Sequence, residues 1–496
     1  MGRLGENETK SAAAGAGMGK NIVIFSDGTG QYGGIMPDQR LSNIYKMYRA
    51  MRPGTQTGID PAQQVAYYDP GLGSGELGGR IRNILAAAFG TGISENIIDC
   101  YEAILRHYED GDRVFIFGFS RGAYTARCVA NVMNLCGIPR QNADGRPLPT
   151  GGVALRKIAE EAVYSVYEHG SGKDRARYEL EREEKARRFR AKYASEGVGT
   201  RGEPQGNVAP TFIGVFDTVA ALGGVMVRRI LAGLALGSLI LGGVSVWKEW
   251  DAPWSALAWL PASLLVASFL WALKKQFKCI TDPPQGGRFS WHFAAWNLKN
   301  YDRFLDSSVG YARHAISIDE NRKRFPRVGW GHSDDTSQQS RGDLAWLKQE
   351  WFAGNHSDIG GSYPESESRL SDVALRWMVE ELKSIPNPPL VDDRFVQTFP
   401  DPMGLQHDEV KSSRELWPRW WPSWARLGWS ESSRSVHPEA ELHDTVYQRL
   451  SATRVPHFDS LVPYRPAGLH SHKKAQAAIA SGATLAPPDM PSEVAP

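Results

Sequence analysis

Short apolar runs, each followed by a polar residue and a glycine-containing turn, recur along residues 20–365. Runs of this length that are almost continuously apolar are typical of strands buried on both faces of a parallel sheet. Between two of them, apolar residues spaced three and four apart predict an amphipathic helix over Ser94–Tyr108. We therefore predict an α/β fold, a mostly parallel sheet with helices on both faces. The predicted strands are Asn21–Phe25, Gln64–Asp69, Arg113–Phe119, Thr211–Ala220 and a run within Glu350–Tyr363.

Two longer apolar segments interrupt this pattern. Ile230–Trp247 and Ala252–Leu273 contain no charged residue and are separated by a short polar turn. As helices they would be about 27 and about 33 Å long, close to the roughly 30 Å hydrocarbon core of a bilayer. We predict an inserted apolar helical hairpin at 229–274 that spans a membrane. Lysine and arginine at both outer ends favour a cytoplasmic catalytic domain. The alternative is an apolar hairpin that is buried or lies at the membrane interface.

The same reading divides the chain into five parts. Residues 1–19 and 474–496 are predicted to be disordered. An α/β-hydrolase-like catalytic domain is predicted at 20–228 and 275–370, divided by the hairpin at 229–274. Residues 371–473 are predicted to form a mainly irregular and helical C-terminal region.

Charge and cysteine content exclude several classes of function. Lys+Arg total 57 and Asp+Glu total 55, so the net charge is only +2. Such a balance argues against a nucleic-acid-binding protein. The four cysteines lack CxxC spacing and interleaved histidines, which argues against a zinc cluster or a disulfide framework. We expect no metal and no cofactor.

The segment "GDRVFIFGFSRGAY" contains the strongest chemical signal. Ser120 lies between Gly118 and Gly122, after a predicted strand and before a predicted helix. Small residues are needed where strand and helix nearly touch, as in the nucleophile elbow of α/β hydrolases. We predict that Ser120 is a nucleophile; the alternative is a structural serine in a tight turn.

A serine hydroxyl becomes nucleophilic when an imidazole accepts its proton, and a carboxylate orients that imidazole. In this fold the chain order is serine, acid, histidine, which Asp217 and His356 satisfy. His292 and His314 are alternative bases, and Asp27 and Asp358 alternative acids. The oxyanion would bind the backbone amide of Arg121 and that of Gly28 or Thr29.

Several segments resemble one known family: "FSDGTG", "YYDPGLGS", "GFSRGAYTAR", "FIGVFDTVA" and "WFAGNHSDIGGSY". They are similar to the α/β-hydrolase-like phospholipases typified by bacterial type VI lipase effectors of the Tle class. The resemblance implies Ser120 as nucleophile, Asp217 as acid, His356 as base, and hydrolysis of acyl esters in glycerophospholipids.

From the resemblance and the apolar hairpin we expect a membrane-associated enzyme whose partners are phospholipid substrate and the bilayer. An immunity or delivery protein is expected if the chain is an effector that enters another cell, and nucleic acid is not expected. The alternatives are a non-catalytic membrane scaffold on a hydrolase fold and a serine peptidase.

Overall fold

The computed structural model describes residues 19–31, 33–34, 40–71, 92–173, 175–219, 225–249, 251–294, 304–330, 340–341, 343–415 and 428–481. The N-terminal segment predicted to be disordered lies outside the described residues except for residue 19. At the other end, Lys473–Ser481 forms a helix. The predicted disorder from residue 474 onward is therefore wrong for 474–481, and residues 482–496 lie outside the described residues.

A six-stranded sheet forms the centre of the molecule. Its strands are β1 (Asn21–Ser26), β2 (Gln64–Asp69), β3 (Arg113–Phe119), β6 (Phe212–Phe216), β9 (Tyr311–Ser317) and β12 (Leu347–Phe352). Their order in the sheet is β12-β9-β6-β3-β1-β2, and every pair of neighbouring strands runs parallel. The predicted α/β fold with a mostly parallel sheet is confirmed.

In the described part of the chain, four two-stranded antiparallel pairs lie outside this sheet. Their strands are β4 (Glu196–Val198) with β5 (Pro204–Gly206), β7 (Phe277–Thr281) with β8 (Phe289–Phe293), β10 (Ser340–Arg341) with β11 (Leu344–Ala345), and β13 (Val455–His457) with β14 (Ser460–Val462).

Helices cover both faces of the sheet, as predicted. Residues of β1 alternate between two cores: Ile22 and Ile24 pack on one face, and Val23 and Phe25 on the other. The first face is covered by α2 (Gly92–His107) and α3 (Arg121–Cys136), onto which α4 (Gly152–Glu160) and α5 (Arg175–Tyr193) pack in the same core. The second face is covered by α1 (Asn43–Met51) and α9 (Arg369–Ser384). Because α9 packs on the sheet, it is part of the sheet-containing domain, although the sequence analysis assigned residues from 371 onward to the C-terminal region.

Two long helices occupy the predicted hairpin, α6 (Val225–Trp247) and α7 (Ala252–Gln276), and they pack against each other. Pro261 lies inside α7. Near it, the Ser238 hydroxyl of α6 donates to the Ala258 carbonyl at 2.5 Å and accepts from the Ala262 amide at 3.1 Å. Ser238 Oγ thus bridges the Ala262 amide and the Ala258 carbonyl, which are four residues apart and would otherwise pair within the helix. A proline commonly disturbs such helical hydrogen bonds in its neighbourhood.

Large apolar side chains on the outside of this hairpin are exposed. Trp247 and Trp254, at its turn, are 75% and 62% exposed. Other exposed members are Leu236, Leu239, Ile240, Leu241, Leu257, Leu260, Leu264, Val266, Leu270 and Trp271. The prediction that the hairpin spans a membrane is not supported: counted over the described residues, no helix is both long and apolar enough to cross a bilayer.

The C-terminal region packs against the β9–β12 side of the sheet. Trp351 of β12 forms a bridge with Leu442 and is buried with Val436 and Val446 in a third core. Its helices are α10 (Glu409–Glu415), α11 (Asp444–Ser451) and α12 (Lys473–Ser481). This packing brings distant parts of the sequence to the carboxyl ends of β6, β9 and β12.

Candidate active site

Ser120 lies at a sharp turn between β3 and α3. Its φ is +60° and its ψ −121°, a conformation that residues other than glycine rarely adopt. A Cβ on Gly118 would lie 2.3 Å from the Gly122 carbonyl oxygen, and one on Gly122 would lie 2.1 Å from the Ser26 carbonyl oxygen. The two glycines are therefore required by the close approach of strand and helix, the geometry that the sequence motif predicts.

Backbone hydrogen bonds attach this turn to the end of β6. The Ser120 amide donates to the Phe216 carbonyl at 3.1 Å, and the Val219 amide donates to the Ser120 carbonyl at 3.4 Å. Asp217 lies between these partners. The serine and the predicted acid are thus held on adjacent segments of backbone.

Asp217 and His356 form a direct hydrogen bond. His356 Nδ1 lies 2.5 Å from Asp217 Oδ2, and both side chains are buried. His356 is the first residue of α8 (His356–Gly360), whose start is fixed by a capping box between Asn355 and Asp358. Since Asp217 occupies Nδ1, Nε2 is the ring nitrogen available for proton transfer.

Two aromatic side chains hold the His356 ring in place. Phe119, the residue before Ser120, stacks on the His356 ring with centroids 4.6 Å apart, and Phe325 contacts it edge-on. Glu320 accepts a hydrogen bond from the His356 amide at 3.2 Å. The stacking partner shows that His356 lies beside the strand end that carries the serine.

Arg434, from the C-terminal region, is an unexpected member of the site. Its two terminal nitrogens lie 2.5 Å from Asp217 Oδ1 and 3.0 Å from Oδ2, and its side chain is 7% exposed. It also donates to the carbonyls of Ser317 and Phe325. Sequence reasoning missed this residue, because a single arginine in an irregular segment carries no motif.

The arginine determines the charge state of the acid. Burial alone would raise the pKa of Asp217, but the positive charge of Arg434 and the hydrogen bond from His356 outweigh it. The pKa of Asp217 is therefore held well below its ordinary value. The acid remains ionised throughout the physiological range, as an orienting carboxylate must.

The alternative bases and acids have other partners. Burial, with the charge of Arg127, lowers the pKa of His314 to about 3, and its Nε2 faces the Thr218 amide. The ring of His292 stacks on that of Tyr178, with centroids 3.7 Å apart. Both residues are distant in sequence from Ser120. Asp358 accepts hydrogen bonds from Asn355 and His407.

Asp27 organises the loop after β1 instead of serving the histidine. Its carboxylate accepts hydrogen bonds from the Ser42 hydroxyl, the Tyr68 hydroxyl and the Gly28 amide, the last at 2.7 Å. Burial raises its pKa to about 6. Because Asp27 engages the Gly28 amide, Thr29 is the better candidate of the two predicted loop donors. Arg121 begins α3, where helix geometry provides no acceptor for the first amides.

One group of described residues has the donor types of a metal site. His169, Glu181 and His292 place ligand atoms within 4.8 Å of one another. His169 Nε2 already forms a hydrogen bond with the Glu181 carboxylate, at 2.7 Å. Burial and, second in size, the charge of Lys185 lower the pKa of His169 to about 4. That same charge would repel a cation.

Comparison with known proteins gives the family. Residues 20–381 match the family described as "T6SS, Phospholipase effector Tle1-like, catalytic domain". The chain belongs to this family. The matched Tle1-like region contains Ser120, Asp217 and His356, whereas Arg434 lies beyond it.

Individual relatives are distant. The chain is 23% identical over 419 residues to the uncharacterized protein YEL023C of Saccharomyces cerevisiae, covering 73% of this chain and 57% of that one. A crystal structure of an uncharacterized Pseudomonas aeruginosa protein matches with a TM-score of 0.37 and 14% identity, over 79% of this chain and 49% of that one.

The Tle1 effector bound to the VgrG spike of the type 6 secretion system matches with a TM-score of 0.28 and 17% identity, over 71% of this chain and 53% of that one. The chain thus spans about half the length of these relatives.

Proposed function

We propose that this Tle1-like chain is a serine hydrolase that cleaves acyl esters of glycerophospholipids. The observation that carries the proposal is the buried hydrogen bond between Asp217 and His356, beside the strained turn of Ser120. Membership of a family named for phospholipase effectors supports lipid as the substrate.

The mechanism follows from the roles of these groups. Ser120 Oγ attacks the ester carbonyl carbon while its proton passes to His356 Nε2. Asp217 stabilises the resulting imidazolium, and the amides of Arg121 and Thr29 bind the oxyanion. The imidazolium then protonates the leaving alcohol oxygen, which leaves an acyl-enzyme. Water, deprotonated by His356, hydrolyses the acyl-enzyme and releases the fatty acid.

Fatty-acid release from liposomes of defined composition tests the proposal. We expect the native chain to release fatty acid and to react with a fluorophosphonate. Ser120→Ala should lose both properties while retaining its circular dichroism spectrum. Ser384→Ala, at the exposed end of α9, is the matched control and should retain both. A chain that releases no fatty acid and fails to react would be a non-catalytic scaffold, and one that cleaves peptides but not lipids would be a peptidase.

We further propose that the α6–α7 hairpin attaches the enzyme to the surface of a bilayer. Its exposed leucines and tryptophans form an apolar surface of the kind that marks an interaction site. Tryptophans at its turn suit the lipid–water interface. In a flotation assay, Leu241→Asp with Leu257→Asp should reduce vesicle binding. Leu461→Asp, at an equally exposed leucine of the C-terminal region, should not. Unchanged flotation of the hairpin variant would contradict the attachment.

Delivery to another cell, with an immunity protein in the producing cell, is the biological setting that we propose from the family name. The Tle1 effector structure with its VgrG spike supports it. Capture of the chain by a spike protein encoded in the same genome would test this setting, and failure to bind any such protein would argue for a resident enzyme.

A further inference from the structure

A cavity of about 360 Å³ lies at the foot of the hairpin, where α7 meets the catalytic domain. Four lysines line it, one from α5 and three from the end of α7 and the start of β7. Aromatic side chains also line it. The lysines are Lys185, Lys274, Lys275 and Lys278, and two of the aromatic residues are Tyr164 and Trp271.

The positive charge in this cavity is only partly balanced. Lys275 pairs with Glu95 at 2.7 Å, and Lys278 pairs with Glu168 at 3.2 Å. Lys185 instead donates to the neutral carbonyl of Ser165 at 3.0 Å, and Lys274 is exposed. Among the residues that the structure describes, no carboxylate forms an ion pair with Lys185 or Lys274, whereas Lys275 and Lys278 each have one.

The charged form of the Lys185 side chain is destabilised in this cavity. Burial, together with the nearby charges of Lys278 and Arg188, lowers the pKa of Lys185 to about 8, although Cys279 and Glu181 act in the opposite direction. An anion in the cavity would reverse this effect, because it would interact favourably with each ammonium group.

The aromatic walls indicate what kind of anion would fit. Lys275 Nζ lies 4.2 Å from the centroid of Trp271 and 4.5 Å from that of Tyr164. Trp271 is exposed and continues the apolar surface of the hairpin. A ligand with a charged phosphate and an attached apolar portion would match the two halves of this wall.

We propose that the cavity binds the phosphate of an anionic phospholipid headgroup. Lys185 and Lys274 contact the phosphate, and the acyl chains lie along Trp271 and the outside of α7. The site is separate from the serine elbow, and it rests on the proposed function only in taking a membrane phospholipid as its ligand. It gives the hairpin a preference for anionic bilayers in addition to apolar contact.

The test uses the full-length Ser120→Ala protein, so that vesicles are not hydrolysed during the measurement. Binding to phosphatidylcholine vesicles is compared with binding to vesicles that also contain phosphatidylglycerol. We expect tighter binding to the anionic vesicles.

Each lysine near a membrane surface contributes about 1 kcal/mol, or about fivefold in affinity. Lys185→Met and Lys274→Met should each weaken this preference about fivefold. Lys157→Met, at an exposed lysine of α4, should leave it unchanged.

Titration with soluble glycerol phosphate separates a headgroup from a free phosphate. Competition by glycerol phosphate that depends on Lys185 supports the site. An undiminished preference for anionic vesicles in both methionine variants would overturn it. Binding of glycerol phosphate that needs Lys185, with vesicle binding that does not, would replace the headgroup with a free phosphate. Because these experiments use the inactive serine variant, their failure is distinct from a failure to release fatty acid.

Discussion

Replacing Arg434 with methionine removes the cation that binds both oxygens of Asp217. The carboxylate is fully buried, so the change leaves a negative charge whose remaining partners are His356 and the Ser317 amide. Breaking a buried ion pair in this way typically costs about 3–5 kcal/mol of folding stability. We therefore expect a lower melting temperature as the first effect.

The second effect concerns the acid. Burial raises the pKa of Asp217, and the positive charge of Arg434 is the largest influence that lowers it. At about 4 Å and an effective dielectric constant of about 20, two unit charges interact by about 4 kcal/mol. Without Arg434 the pKa of Asp217 should therefore rise. A protonated Asp217 cannot stabilise the imidazolium that forms during the reaction, so the acid limb of the rate profile should move upward by about one to two pH units.

The assay is kcat/KM for ester hydrolysis between pH 5 and pH 9, measured on protein shown to be folded. Below the limb, Arg434→Met should be about 10- to 100-fold slower than the native chain. Arg434→Lys keeps the charge but loses the two-pronged contact, so its limb should return most of the way while kcat stays reduced. Arg454→Met, an exposed arginine of the same region, is the control. An unmoved limb in folded Arg434→Met would refute the reasoning.

Three further predictions follow from local geometry. Gly122→Ala should fold poorly or lose several degrees of melting temperature because its Cβ would overlap the Ser26 carbonyl, whereas Gly243→Ala, a helical glycine with open space, should be tolerated. Burial raises the pKa of Asp69 to about 8, so the contribution of Asp69 to native stability should decrease by about 1.4 kcal/mol per pH unit as the pH rises from about 4 to about 8; Asp69→Asn should make the pH dependence of thermal melts less steep, and an equal slope in the variant would contradict it. A thiol reagent should modify one cysteine of the native chain, Cys279, and all four after denaturation, since the others are buried: Cys100, Cys128 and Cys136.

Sequence patterns were sufficient for five of the six strands of the sheet and for part of the candidate site. Strand β9 was missed because the buried Arg313 and His314 interrupt its apolar pattern. Continuous apolar runs predicted the strands because both faces of the sheet are buried, and the Gly118 and Gly122 pair predicted the turn because only glycine fits there. Asp217 and His356 were predicted because each follows an apolar run whose carboxyl end must reach the same edge of a parallel sheet.

Other features depend on packing that no local pattern encodes. Arg434 reaches Asp217 only because the C-terminal region packs against β9 and β12. The lysines after the hairpin predict a membrane flank, whereas in the structure Lys275 and Lys278 form ion pairs with Glu95 and Glu168. The helix at Lys473–Ser481 was missed because alanine-rich composition does not reveal the contact of Ala475 with the third core.

The position of Arg434 late in the chain has a consequence for biosynthesis. A ribosome has completed every strand of the central sheet well before it adds this residue, so a nascent chain can assemble the serine turn and the histidine while the acid still lacks its counter-ion. On the proposed function, hydrolytic competence follows the folding of the central sheet and depends on the docking of a segment that is made after it.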